Sequence, residues 1–300
     1  MIFPEYLSQN DTVALVAPAR KISYEEILPT IEWLTKAGFK VELGENILSE
    51  YHQFAGTDTQ RCADIQYFLD APHIKAILCA RGGYGSVRLI DRLDFSKFLQ
   101  HPKWFCGYSD ITVFHTHLNR LACASIHSTM CINITAETLN NENSQSLLRA
   151  LRGETLSYSF APSELNKTGC ATGELVGGNL SILYSLLASP SDLITDGKIL
   201  FIEDLDEYLY HIDRMMMAMK RAGKLAHLAG LVVGGMSQMN DNTIPYGKTA
   251  IEIVAEHCQE YKFPVAFNFP AGHIDQNMAI KLGSIVQLQV TTQNSQLIFK

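Results

Sequence analysis

The 300-residue sequence has no Cys-x-x-Cys spacing, no basic run interleaved with aromatics, and no apolar stretch near the roughly 20 residues that span a bilayer. Its seven cysteines are odd in number and scattered. A disulfide framework needs a paired set and a zinc site needs closely spaced ligands, so these thiols read as reduced and mostly buried. One reactive cysteine stays open as an alternative, although none has an evident base beside it. Acids outnumber bases by 31 to 24, for a net charge of −7, which argues against nucleic acid or an anionic membrane as partner. Met1-Ile2-Phe3-Pro4-Glu5-Tyr6 carries no positive segment, and Val13-Ala14-Leu15-Val16-Ala17 is too short for a secretory core. The expectation is a cytoplasmic protein without membrane contact. Only two tryptophans occur, Trp33 and Trp104, both inside runs that read as packed elements.

What is present is ordinary for a globular protein: 47% hydrophobic and 18% charged residues. The length favours two domains. Residues 12–17 form a continuous apolar run, as in a parallel strand buried on both faces. Helical spacing over 25–37 ends at Gly38, and strands at 39–43 and 74–80 bracket a helix at 58–70. A glycine-rich loop follows, then a helix at 87–91, a strand ending at Gly107, a helix from Thr112 and a short strand at 122–126. Alternating strands and helices imply an α/β, Rossmann-like parallel sheet in a first domain, 1–145. A polar stretch, 146–168, reads as a linker. The remainder, 169–300, reads as a smaller mixed α/β domain, with strands at 173–179, 198–204 and 228–235 and helices at 180–187, 209–222 and 249–257. Residues 279–283 and 285–290 read as an antiparallel hairpin. Met215-Met216-Met217 suits core or interface filling, which leaves a homodimer open.

Ser109, in Gly107-Tyr108-Ser109-Asp110, falls on a sharp turn from strand to helix. Such a turn exposes a hydroxyl beside unpaired N–H groups; the same Ser-Asp pair could equally cap the helix. Arg81-Gly82-Gly83-Tyr84-Gly85-Ser86 ends the preceding strand. It is neither a Walker loop nor a dinucleotide fingerprint. It can cradle an anion, or it can serve as a tight connection needing positive φ. Both loops fall at strand carboxyl ends, where open parallel sheets bind ligands. His115 and His117, two apart on a helix, do not share a face for metal, and His127 reads as structural. A serine nucleophile needs a base and an orienting acid. Among ten histidines, His273 stands out after Pro270-Ala271-Gly272. The acid candidates are Glu203, Asp204, Asp206 and Glu207. Glu203 closes an apolar strand, where a carboxylate needs a partner.

Together Arg81-Gly82-Gly83-Tyr84-Gly85, Gly107-Tyr108-Ser109-Asp110, Gly177-Gly178-Asn179, Phe201-Ile202-Glu203-Asp204, Ile212-Asp213-Arg214 and Gly272-His273 resemble the LD-carboxypeptidases, serine peptidases of bacterial cell-wall recycling. The resemblance covers nearly the whole chain. It implies an active site in the cleft between the two domains, with Ser109 as nucleophile, His273 as general base and Glu203 as orienting acid, Glu207 being the reserve. Oxyanion donors would be the N–H groups of Asp110 and Gly83. The implied reaction releases terminal D-Ala from a muropeptide tetrapeptide, at its bond to meso-diaminopimelate, with no metal or organic cofactor. Arg81 is conceivable as the grip on the D-Ala carboxylate, or as a structural ion pair. A microcin C-type immunity peptidase with the same triad is the nearest alternative; it would want an aromatic platform for a base. A two-lobe small-ligand binding protein is a second, and a nucleotide-dependent dehydrogenase a weaker third.

Overall fold

The computed structural model describes residues 1–300 and divides into two compact units. The first comprises Met1–Glu154 and a returning segment, Met278–Lys281; the second comprises Thr155–Asn277 and Leu282–Lys300.

In the first unit, β1 (Thr12–Val16) is buried along its length, as its unbroken apolar run requires. It lies between β2 (Lys40–Leu43) and β3 (Ile74–Cys79), parallel to both. β4 (Trp104–Gly107) and β5 (Ser125–His127) continue the parallel sheet beyond β3. A late strand, Ile280–Leu282, adds beside β5. The helices are α1 (Tyr24–Lys36), α2 (Asp58–Asp70), α3 (Ser96–Gln100), α4 (Thr112–Arg120) and α5 (Glu142–Leu151). Capping boxes at Ser23/Glu26 and Thr57/Gln60 start α1 and α2. The end of α2 is closed unusually. Fully buried Lys103 donates from Nζ to the carbonyls of Phe68, Leu69 and Ala71 at 3.0, 2.8 and 2.8 Å. Strand order reverses between β1 and β3, so the loops after these two strands flank the crevice where such sheets bind ligands.

The second unit holds β6 (Ser157–Phe160), β7 (Gly169–Asn179), α6 (Leu180–Ser185), β8 (Ile199–Leu205), α7 (Leu209–Arg221), β9 (Gly230–Ser237), α8 (Ala250–Cys258) and β10 (Val265–Ala266). After β11 (Ile280–Leu282) it closes with β12 (Ile285–Val290) and β13 (Ser295–Phe299). The sheet runs β10-β9-β8-β7-β12-β13-β6; the first four strands are mutually parallel and the rest antiparallel. Its core includes Ile202, Met215, Met216, Met219, Leu231 and Val254. The methionine helix thus faces inward, and only Met217 of the run is exposed.

Three local expectations differ from the structure. Residues 146–168, read as a linker, carry the end of α5 and all of β6. Tyr158 and Phe160 point inward between exposed serines, a period-two pattern hidden by the polar composition. The expected hairpin of 279–283 with 285–290 does not form. β11 joins the first sheet, whereas β12 pairs with β7 and β13. Residues 280–282 are buried without alternation although β11 is the edge strand of the first sheet, so period-two patterning does not mark which sheet they join. In place of a helix at 87–91 there are two 3₁₀ turns, Ser86–Arg88 and Ile90–Arg92. No helix is long and apolar enough to cross a membrane.

Candidate active site

In the first unit, β4 ends at Gly107, and Ser109 adopts φ +65° at the start of a single 3₁₀ turn leading into α4. A serine in the left-handed region is strained by about 1–3 kcal/mol, so the surrounding structure must impose it. Gly107, at φ +154°, permits the bend: a Cβ there would lie 2.9 Å from Ile111 Cγ1 and 3.2 Å from Cys79 Cβ. Beneath the turn, His115 bridges Gly107 O (Nε2, 2.8 Å) and Ser125 Oγ (Nδ1, 2.8 Å). Burial lowers its pKa to about 4, which keeps the ring neutral.

The glycine loop after β3 meets this turn. A Cβ on Gly82 would sit 3.0 Å from Ser109 Cβ and 3.1 Å from its Oγ, so only glycine lets the loop come this close. The buried Asp110 carboxylate clamps the far end of the loop, its Oδ2 accepting the Ser86 N–H at 2.8 Å. Burial raises the Asp110 pKa, and hydrogen bonds from Ser86 and Gly85 oppose that rise. The capping role expected as one reading of Asp110 is therefore replaced by a tie between two loops. Gly83, at φ +108°, is exposed at the crest. Arg81 is half-buried, 3.9 Å from Glu26.

In the second unit, the structure brings two predicted residues together. His273 Nδ1 lies 2.7 Å from Glu203 Oε2, and its backbone N–H donates to the same oxygen at 3.2 Å. Glu203 is fully buried near the end of β8. Glycine makes room for it: a Cβ on Gly272 (φ +105°) would fall 2.7 Å from Glu203 Oε2. The His273 loop is held by Gly272 N–H to Asn277 Oδ1 (2.9 Å) and Ser237 Oγ to His273 O (2.6 Å). Ser237 and Asn277 went unread in the sequence, because they support His273 through contacts that exist only after folding. Burial by itself would lower the His273 pKa. The hydrogen bond to Glu203 and the charges of Glu203 and Asp204 outweigh it, and the net shift is upward from 6.5.

The other acids go elsewhere. Asp204 accepts from Asn179 Nδ2 (3.0 Å) and Ser181 N (2.9 Å) at the start of α6. Burial first, then the charge of Glu203, pushes its pKa up to about 7. Asp206 accepts from Asn240 Nδ2 at 2.9 Å. Glu207 pairs with His211 Nδ1 at 2.5 Å, so the reserve acid is engaged with a different imidazole.

A strained serine on an elbow beside a glycine loop, and a buried carboxylate oriented on an imidazole, are the parts of a serine-type hydrolase. Comparison with known proteins names the group. Residues 13–128 match the LD-carboxypeptidase N-terminal domain, and residues 172–288 the LD-carboxypeptidase C-terminal domain. A probable murein peptide carboxypeptidase of Bacillus subtilis is 33% identical over 289 residues, covering 94% of this chain and 89% of the relative. The crystal structure of a muramoyltetrapeptide carboxypeptidase from Oxalobacter formigenes superposes with a TM-score of 0.87 at 26% identity, over 96% of this chain and 98% of that one. The microcin C7 self-immunity protein MccF, solved with aspartyl sulfamoyl adenosine, shares the fold at a TM-score of 0.89 and 18% identity, over 100% and 99% of the two chains. The chain belongs to the LD-carboxypeptidase family and is a serine-type carboxypeptidase.

Proposed function

We propose that the protein releases the terminal D-Ala from muropeptide tetrapeptides, cutting its amide bond to meso-diaminopimelate during cell-wall recycling in the cytoplasm. Ser109 attacks the scissile carbonyl while His273 Nε2 takes the hydroxyl proton. Glu203 orients the ring and stabilises the imidazolium. The N–H groups of Asp110 and Gly83 receive the oxyanion; one such donor is typically worth about 10²–10³ in rate. His273 then protonates the departing D-Ala amine, and water, deprotonated by the same ring, hydrolyses the acyl-enzyme. The observation that carries this reading is the 2.7 Å bond from His273 Nδ1 to buried Glu203, which engages that nitrogen and supports Nε2 as the one that moves the proton. The murein and muramoyltetrapeptide names of the relatives support the choice of substrate.

The test is incubation with disaccharide tetrapeptide and mass detection of a lost alanine, with Ser109→Ala as control. Turnover by purified Ser109→Ala, or none by the native enzyme, refutes the proposal. Aspartyl sulfamoyl adenosine run in parallel separates the microcin-type alternative. Both tryptophans are buried, so neither offers a face to a nucleobase. A homodimer is part of the same reading; Met217 is the one exposed methionine of the run on α7 available to a second copy, and sedimentation velocity decides.

A further inference from the structure

A carboxypeptidase must recognise a free carboxylate three bonds from the carbonyl it attacks, and the natural partner is an arginine, whose fork matches a carboxylate in two parallel hydrogen bonds. Such a group must lie beside the oxyanion site, be exposed, and be spared from internal ion pairs. The cations around the glycine loop can be sorted on those terms. Arg61 is buried against Pro18 O and Asp58, and Arg88 and Arg92 also converge on Asp58. Lys21 pairs with Glu50 at 2.6 Å, and Arg81 stands 3.9 Å from Glu26. Arg20 is exposed and has no carboxylate within 4.0 Å.

Arg20 is also the one that lies on the loop itself. Its stem crosses Gly83 so closely that a Cβ there would meet Arg20 Cδ at 2.5 Å, Cγ at 2.7 Å and Nε at 3.1 Å. Its backbone is pinned by its N–H to Gly82 O at 3.3 Å, and its neighbours by Ala55 N–H to Ala19 O (3.1 Å) and Lys21 N–H to Gln53 O (3.0 Å). Gly82 in turn approaches Ser109 Oγ, so nucleophile, loop and guanidinium form one continuous contact chain within the first unit. The loops that supply them follow β1 and β3, the strands flanking the reversal of strand order.

We infer that Arg20 binds the terminal carboxylate of the substrate and confines the enzyme to the last peptide bond. This rests on the proposed D-Ala release. Gly83 then has two tasks: its N–H faces the oxyanion, and its missing side chain admits the arginine stem. An internal peptide bond presents no carboxylate to Arg20 and leaves the guanidinium unpaired.

The experiment compares the tetrapeptide with a free terminal D-Ala against the same peptide ending in D-alaninamide, for native enzyme, Arg20→Gln and Arg20→Lys. Native enzyme should favour the free acid in kcat/KM by about 10- to 100-fold, the range of a charge-assisted hydrogen-bonded pair. Arg20→Gln should lose about that factor on the free acid and little on the amide, so the preference collapses. Arg20→Lys should retain part of it. The side chain is exposed, so thermal melts should be unchanged. Equal losses on both peptides, or none, overturn the assignment while the proposed reaction stands. Failure of native enzyme to release D-Ala from the free acid and D-alaninamide from the amide overturns the reaction, and the assignment with it.

Discussion

Replacing Glu203 by Gln isolates the charge of the carboxylate proposed to orient the base. Both donors of His273, the backbone N–H and the ring Nδ1–H, converge on one oxygen, Oε2, at 3.2 and 2.7 Å. A glutamine carbonyl in that place accepts both, so the tautomer with Nε2 as base survives. What disappears is the negative charge facing the imidazolium formed in the transition state. Unit charges about 4 Å apart at an effective dielectric near 20 attract by about 4 kcal/mol. Allowing for relaxation, the loss is about 2–4 kcal/mol, or roughly 30- to 1000-fold in kcat. Glu203→Ala, which also frees the ring, should lose about 10⁴-fold. The glutamine NH₂ falls where Oε1 has no hydrogen-bond partner, so stability also drops, by about 1–3 kcal/mol.

The pH profile gives the same substitution an independent readout. In the proposed mechanism His273 must be neutral to take the proton; burial opposes its charged form, but the hydrogen bond to Glu203 and the charges of Glu203 and Asp204 prevail and raise its pKa above 6.5. The acid limb of kcat/KM should therefore lie above pH 6.5 in native enzyme and move down in Glu203→Gln. The linked stability has the opposite sense. A histidine raised on folding contributes stability fully below its unfolded pKa and loses it as pH rises through the folded value, so native stability from this pair declines above pH 6.5 and the variant lacks that decline. D-Ala release from pH 5 to 9, with melts at each pH, measures both. Native kcat in Glu203→Gln, or an acid limb that stays in place, would show that this carboxylate does not serve the base.

Other substitutions test the supporting structure. Ser109→Gly should abolish turnover yet melt higher than Ser109→Ala, by about 1 kcal/mol, because glycine relieves the φ of +65°; a lower melt refutes the strained elbow. Asp110→Asn should lower kcat more than KM changes, since its backbone N–H persists but the clamp on Ser86 N–H is weakened; an unchanged kcat would detach the clamp from catalysis. Lys103→Met removes three hydrogen bonds from the end of α2 and should cost about 2–4 kcal/mol in denaturant melts, with activity kept at 25 °C. Burial lowers the Lys103 pKa to about 8, so native stability should rise with pH between about 8 and 10.5, a slope the variant should lose.

The elements legible in the sequence were those whose pattern is local. Thr12–Val16 had to be a doubly covered strand, and Ser109 and Gly82 had to fall at neighbouring strand ends, because periodicity and glycine placement suffice for both. Arg20 was not legible. It follows Pro18-Ala19 as any loop arginine would, and its value comes from Gly83, 63 positions on, and from carboxylates engaged elsewhere. The fate of Ile280–Leu282 was equally hidden, since three buried residues do not declare which sheet they complete.

The four acids after Ile202 show how pleat and helix sort residues that composition leaves equivalent. Successive strand residues face opposite sides, so if Glu203 faces His273, Asp204 must turn away, and it does, to the start of α6. Leu205 ends the strand, and beyond it the period changes from two to 3.6. Glu207 and His211 are then four apart, the spacing at which side chains meet at a helix start. A Glu207 reaching back to His273 would have had to abandon that partner. An exchange at 207 therefore tests the sorting from the other side. Glu207→Gln should leave the acid limb of kcat/KM where it is in native enzyme and alter only the melt, by about 1 kcal/mol, as befits a partly buried surface pair. A shifted acid limb in that variant would mean that the imidazole which works is not the one bonded to Glu203.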